Sequence, residues 1–365
     1  ADIVFMRGQI CSVPAFSMKG VKLMALEKSS LNGDVMHNLL ASEYGIQLIE
    51  SNPLSFGSAN CFKIRCKEGV FFLKEYQSSF SLHEVEKEAA LVAFLFSKCF
   101  PVARFFKTVN GNPCTIHDGH IICVQEFIEG KTYLNNLPRP LLLESAKYLG
   151  KMHVLLKDYP LKTDMDDKWV QSFSPENASR RFDDLLLALE QDSANANYQR
   201  IRNDLLFKKE LSYRISDLKS YYDGITYTPT HGDYTACQMI CGEDHIKAII
   251  DFSSAATLPV VWEIMRAYIQ SSESCRDGAP FDTPDFVLYV EKYTEEAPLS
   301  KRDLEAMPYV YLFQLARSNY GYREYLITKT ENREALLDFA LWRTDICREI
   351  DKKAAEISNA LSHLY

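Results

Sequence analysis

The chain has 365 residues, 47% of them hydrophobic and 25% charged, and a formal net charge of -8. This is globular composition, long enough for two lobes, and it contains no internal repeat or low-complexity tract. An acidic chain without a long basic stripe speaks against a nucleic-acid partner, while its surface either steers a cationic substrate or simply aids solubility.

Residues 1–33 carry mixed signals broken by Pro14, Gly20 and Gly33, and read as edge strands or an extension of a first lobe. Asp34 is placed to cap a helix through Tyr44, with Val35, Leu39 and Leu40 on one face and Gly45 ending it. Three strands are expected next, at 46–49, 58–66 and 70–74; in the second, Phe62 and Ile64 alternate with Lys63 and Arg65. The loop 55–60, with Gly57, Ser58 and Asn60, has side chains small enough for backbone N–H groups to approach phosphate, and a plain hairpin loop is an equal alternative. Lys74 has apolar strand neighbours, a costly place for an ammonium unless it has a partner or snorkels to water.

A helix is expected over 82–96. It carries Glu84, Glu86 and Glu88, of which Glu84 and Glu88 share a face. Its apolar run 89–96 is too short to span a bilayer, and residues 1–30 lack the apolar core of a signal peptide. Pro101-Val102-Ala103 starts another strand, Gly111-Asn112-Pro113 is a turn, and a strand over 121–127 leads into Ile128-Glu129-Gly130. From Leu141 the spacing becomes helical, ending near His153, which reads as structural. The stretch 160–178 is loop-like, and its Asp164, Asp166 and Asp167 read as a solvated loop rather than a metal site. Amphipathic helices follow over 180–190 and 202–221.

The stretch 230–255 carries the chemistry. His231-Gly232-Asp233 reads as a loop, followed by short strands over 238–241 and 245–252 joined by the turn Gly242-Glu243-Asp244. A hairpin folds back on itself, so Asp251 is expected to return close to the loop carrying Asp233, with Gln238 between them. Each aspartate alone reads as a turn former or cap. Together they suit phosphoryl transfer, which needs a carboxylate to orient the attacking hydroxyl and hard oxygen ligands for magnesium. In that reading Asp233 is the base, and Gln238 and Asp251 are the metal ligands.

Downstream, a helix is expected from Pro259 to Tyr268 and includes Glu263. Further helices are expected over 285–293, 301–325 and 332–361, where Tyr309, Tyr311, Phe313, Tyr320, Tyr322 and Trp342 read chiefly as core. Ten cysteines are scattered without a CxxC pair, as expected for free thiols of a reducing cytoplasm.

The motif of His231-Gly232-Asp233, Gln238 and Ile250-Asp251-Phe252 resembles that of the aminoglycoside phosphotransferase and choline kinase-like small-molecule kinases. Their signature is H-G-D-x-x-x-x-N followed by a strand ending I-D-F/W. The chain departs from it at Gln238, which keeps the amide oxygen but moves it by about 1.5 Å, one C–C bond. The resemblance implies an α+β, protein kinase-like fold with two lobes: a small mixed N-lobe over 34–128 after the extension 1–33, and a larger helical C-lobe over 129–365. It places nucleotide and magnesium in the interlobe cleft. It further implies that Lys74 contacts the nucleotide phosphates and that Glu88 pairs with it, Glu84 being the alternative. The loop with Gly57, Ser58 and Asn60 is similar to that of homoserine kinase-like members. The Glu126 carbonyl and Ile128 N–H would bind the adenine edge, and Glu263 would brace the catalytic loop or face the acceptor.

The expected activity is therefore Mg2+-dependent transfer of the γ-phosphate of ATP, GTP not being excluded, to the hydroxyl of a small molecule. Expected acceptors are an aminoglycoside, sugar, amino alcohol or homoserine-like compound, in the cytoplasm and without nucleic-acid or membrane partners. The alternative is a kinase-fold protein with little or no turnover and a nucleotide-binding, structural or spore-coat-like role. Acceptor identity and oligomeric state are not encoded in any one motif.

Overall fold

The computed structural model describes residues 27–54, 59–161, 170, 173–276 and 279–365. The chain forms two compact units, the first running to Leu134 and including Cys237–Ala255, the second comprising Asn135–Ala236 and Ala256–Tyr365. No helix among the described residues is long and apolar enough to cross a membrane. Every described cysteine is a free thiol, as the scattered spacing predicts.

The first unit is built on a five-stranded antiparallel sheet of order β1-β2-β3-β5-β4. Its strands are β1 (Leu48–Leu54), β2 (Asn60–Cys66), β3 (Gly69–Glu75), β4 (Thr115–His117) and β5 (His120–Glu126). β1 begins two residues later than expected and runs through Pro53. It is an edge strand, where proline's missing N–H costs no ladder bond. One face of the sheet buries Ile64, Leu73, Ile122 and Val124 against Leu31, Met36, Leu39 and Leu40. On another side Tyr76, Ile121 and Cys123 pack with Val85 of the helix Leu82–Ser97. That helix starts with a capping box in which Ser81 and Glu84 satisfy each other's backbone N–H groups.

The first helix differs from expectation at its cap. It spans Gly33–Leu39, and Asn32, not Asp34, is the N-cap: Asn32 has extended backbone and its side chain accepts the Val35 N–H at 2.9 Å. Asp34 lies inside the first turn. A π-helical turn, Leu40–Tyr44, completes it, and Gly45 ends it at φ 68°. The segment expected as a strand from Pro101 makes only isolated bridges, Val102 with Ile249 and Phe105 with Gln125.

The hairpin of β7 (Met239–Cys241) and β8 (Ile246–Ile249) belongs to this unit. Its outer edges are tied down by backbone bonds: Ile249 N–H donates to Pro101 O, and Cys241 and Lys131 exchange bonds at 2.8 Å. Gly130 makes that approach possible, since a Cβ there would lie 2.5 Å from Ile240 Cγ2 and 2.7 Å from Cys241 O.

The second unit is mostly helical. Its helices are Arg139–Leu156, Pro175–Glu190, Tyr198–Arg214, Val260–Ser271, Thr283–Thr294, Lys301–Arg317 and Arg333–Ser362. The one expected over 202–221 starts at Tyr198, ends at Arg214 and continues as a 3-10 segment, Ile215–Tyr222. The one expected over 301–325 stops at Arg317, and a π-turn spans Glu324–Thr328. Gly321 sits in that break at φ +90° with Leu336 O only 2.4 Å from where a Cβ would be, so neither a helix nor a side chain fits. β6 (Tyr227–Thr230) pairs antiparallel with β9 (Ala256–Pro259), so the chain leaves and re-enters this unit on adjacent strands. The expected Asp164, Asp166 and Asp167 loop lies outside the described residues.

Candidate active site

In the first unit the register of the sheet decides the position of Lys74. On β3 it is paired with Cys61 on one side and Cys123 on the other, so its side chain emerges from the middle of the sheet. It is buried, at 7% exposure, and two carboxylates face it. The ammonium donates to Asp251 Oδ1 at 2.9 Å and lies 4.0 Å from Glu88 Oε1. Its ring neighbour is Tyr76, 4.5 Å from the ring centroid. Burial by itself would lower the lysine's pKa, but Asp251 and then Glu88 outweigh it and hold the group well above its ordinary value.

Glu88, rather than Glu84, is therefore beside the lysine. Glu84 is used up in the capping box, accepting the Ser81 N–H at 2.8 Å. Glu88 accepts the Tyr76 hydroxyl at 2.9 Å and a backbone N–H from Phe252. Burial raises its pKa, with Lys74 opposing that shift. The helix Leu82–Ser97 thus grips both the strand lysine and the residue that follows Asp251.

Asp251 has left-handed backbone, φ 62° and ψ 68°, a conformation that non-glycine residues adopt at some cost and that recurs at functional sites. Its Oδ1 also accepts Ser253 Oγ at 2.8 Å. Gln238 ends a 3-10 turn, Ala236–Gln238, and its carbonyl accepts the Ile250 N–H at 2.9 Å. One backbone bond therefore sets Gln238 against the residue preceding Asp251. A carboxylate and an amide oxygen at one end of a hairpin are hard donors, and this set fits a magnesium ion that keeps much of its shell in water and phosphate.

The other expected nucleotide contacts are distributed unevenly. Gly57 and Ser58 lie outside the described residues. Asn60 begins β2, and its amide donates to Glu75 Oε2 at 3.1 Å and to Glu27 O at 3.0 Å. Glu126 ends β5, its N–H bonded to Arg104 O and its carboxylate to Arg104 Nε at 3.0 Å. Ile128 follows in non-regular chain, and among the described residues its N–H makes no hydrogen bond.

In the second unit Asp233 lies in the loop after β6 and is buried, at 4% exposure. Gly232 turns the loop at φ 79°. Glu263, from the helix Val260–Ser271, holds it from beneath: Oε1 accepts the Gly232 N–H at 2.6 Å and Oε2 the His231 N–H at 3.1 Å. The same Oε2 is 2.9 Å from His153 Nε2, and His153 Nδ1 is 2.8 Å from the Tyr293 hydroxyl. Glu263 and His153 therefore support the loop: for Glu263 this is one of the two roles that the resemblance implies, and for His153 it accords with the structural reading. One turn on from Glu263, Arg266 pairs with Asp233 through Nη2 and Oδ1.

Sequence reasoning did not single out Arg266 or Tyr76. Arg266 stands three residues after Glu263 on a helix and hence on the same face, which was a usable signal. Tyr76 had none, because its role depends on the packing of a helix over the sheet.

A small antiparallel sheet with a buried lysine–glutamate–aspartate cluster, and a helical unit with a braced loop aspartate, define a phosphoryl-transfer enzyme of protein kinase-like, α+β fold. The model of the family described as "Phosphotransferase enzyme family" matches residues 52–299, and the chain belongs to that family. It is an enzyme of the small-molecule kinase class, with an alcohol group as acceptor. Solved structures share the fold at low identity. An aminoglycoside phosphotransferase from Alicyclobacillus acidocaldarius is 15% identical with a TM-score of 0.62, covering 94% of this chain and 100% of that one. The amicoumacin kinase hAmiN, in complex with AMP-PNP, Ca2+ and Ami, is 14% identical with a TM-score of 0.61, covering 88% and 95%. Spectinomycin phosphotransferase APH(9)-Ia, in complex with ADP and spectinomycin, is 16% identical with a TM-score of 0.57, covering 91% and 99%. No curated protein sequence matches the chain significantly.

Proposed function

We propose that the chain moves the γ-phosphate of ATP to the hydroxyl of a small molecule, with Asp233 as the residue that orients and deprotonates that hydroxyl. The observation that carries this reading is the Lys74 ammonium set against Asp251 at 2.9 Å and Glu88 at 4.0 Å. A charge this deeply placed needs its partners for stability, and the same arrangement presents a cation to phosphate beside a carboxylate that can hold a metal.

Asp251 and Gln238 would hold magnesium, which when bound supplies charge neutralisation at the phosphates. Lys74, fixed by Glu88, binds phosphate oxygen. The Ile128 N–H, with the Glu126 carbonyl, takes the adenine edge, and Asn60 steadies the start of the strand after the phosphate loop. Glu263 fixes the loop backbone while Arg266 fixes the Asp233 carboxylate, so the hydroxyl meets an acceptor already in place. A cytoplasmic setting is retained as part of this reading, whereas the lobe boundaries expected from sequence, 34–128 and 129–365, give way to units that divide at Leu134 and take Cys237–Ala255 into the first.

The test is a pair of variants. Asp233→Asn is expected to abolish transfer while Mg-ATP still raises the melting temperature; Asp251→Asn is expected to lose both. Near-wild-type turnover in both variants would overturn the assignment. Stabilisation of the wild type by Mg-ATP, without transfer to any alcohol, would favour a nucleotide-binding protein that does not turn over.

A further inference from the structure

The second unit contains a cation that its own framework leaves uncompensated. Arg343 is on the helix Arg333–Ser362, packed against the helix Lys301–Arg317. Among the described residues no carboxylate forms an ion pair with it; its hydrogen bonds run to two neutral groups, Ser318 Oγ and Gln314 Oε1, both at 3.3 Å. Its planar face lies over Phe339, 5.4 Å from the ring centroid. The side chain is half-buried, so solvent still reaches it. Burial first, and the Arg266 guanidinium nearby, hold its pKa below the ordinary arginine value, with Tyr311 opposing. Nearby, the buried Tyr320 hydroxyl oxygen has no hydrogen-bond partner.

Two more deeply buried cations of this unit make shorter contacts. Arg266 pairs with Asp233, and Lys208 donates to the carbonyls of Leu315 and Ser318 at 2.8 and 3.0 Å. Surface arginines nearby, Arg200 and Arg348, pair with Asp345 and Asp204. Arg343 stands apart as a fork of N–H donors with long, neutral contacts and a partly exposed side chain. Arg266 is the common neighbour that connects it with the catalytic loop, bonded to Asp233 and electrostatically coupled to both Tyr311 and Arg343.

We propose that the acceptor is a small hydroxylated acid whose oxyanion group docks on Arg343, with Gln314, Ser318 and Tyr320 around it, leaving its hydroxyl toward Asp233. The inference rests on the kinase reading and narrows it: a polycationic aminoglycoside or an amino alcohol would bring an ammonium to an uncompensated guanidinium, whereas a carboxylate or phosphate completes a bidentate, charge-assisted contact there.

The test uses transfer from Mg-ATP to a matched pair, L-homoserine and its carboxamide, beside D-glycerate, glycerol 3-phosphate, ethanolamine and spectinomycin. We expect at least one acid to be phosphorylated, with kcat/KM at least tenfold above ethanolamine and spectinomycin; glycerate against glycerol 3-phosphate separates carboxylate from phosphate. If homoserine is that acid, its carboxamide loses at least tenfold. Arg343→Gln should raise KM for the accepted acid at least tenfold with Mg-ATP affinity within twofold, and Arg343→Lys should recover part of the loss. The carboxamide comparison and the acid-to-amine ratio need only the wild type, so a folding defect in Arg343→Gln does not spoil the result. Preferred transfer to ethanolamine or spectinomycin overturns the inference and leaves the kinase reading standing. An unchanged acid KM in Arg343→Gln also overturns it. Transfer to none of the six, with Mg-ATP still bound, overturns the kinase reading and this inference with it.

Discussion

Lys74 and Asp251 meet at 2.9 Å although one is on a central strand and the other at the end of a hairpin far along the chain. The pair is braced by Glu88, which is itself fixed by the Tyr76 hydroxyl. Because the lysine's pKa is raised, its contribution is fully present below about pH 10.4, the ordinary lysine value, and is lost only as pH rises beyond its folded value. Lys74→Met should therefore abolish stabilisation by Mg-ATP evenly from pH 6 to 9, read by thermal shift. A loss confined to one end of that range would show that another group governs nucleotide binding.

Tyr76→Phe removes one hydrogen bond to a buried carboxylate, a contact of about 1.5–3 kcal/mol. Part of that should appear as looser Glu88 and Lys74, raising the Kd for Mg-ATP by roughly three- to tenfold. Isothermal titration of variant and wild type measures it.

Glu263 accepts two loop N–H groups and faces His153, all buried. Glu263→Gln replaces an acceptor oxygen by an NH2 that faces a donor, so the loop should shift by tenths of an ångström or more. We expect kcat to fall about 10–100-fold, as small misplacements near the chemistry do, while KM for ATP stays within about threefold. Steady-state kinetics decide it, and a rise in KM for ATP alone would contradict the role.

Lys208 is buried, and burial lowers its pKa to about 8. The unfolded chain then binds more protons than the folded one between about pH 8 and 10.4, so this group's penalty is relieved as pH rises through that window. From pH 7.5 to 9 the stability of wild type should gain about 1 kcal/mol relative to Lys208→Met. Urea denaturation at several pH values tests the sign.

Gly321→Ala forces a side chain into left-handed backbone at φ +90° and against Leu336 O. The strain should cost at least about 2 kcal/mol, read as a lower denaturation midpoint at an unchanged slope.

Much of the strand and helix order was legible because local signals state it directly. Alternation at Phe62 and Ile64 and glycine at 45 and 232 act within a few residues. Boundaries were less legible where a choice was settled by packing. Asn32 displaced Asp34 as the cap, and the break at Gly321 followed from the approach of Leu336.

By itself the sequence determined the chemical inventory: a loop aspartate, a hairpin ending in a second one, a glutamine where the resembled signature has asparagine, and a strand lysine in apolar company. Those are fixed by residue type and short spacing. Only tertiary structure decided which glutamate faces Lys74, that Glu263 carries the loop, that Arg266 reaches Asp233, and that Arg343 is left with neutral partners. Ion pairing and burial depend on distances between segments remote in sequence, and such distances are set by how helices pack on a sheet and on one another, not by local pattern.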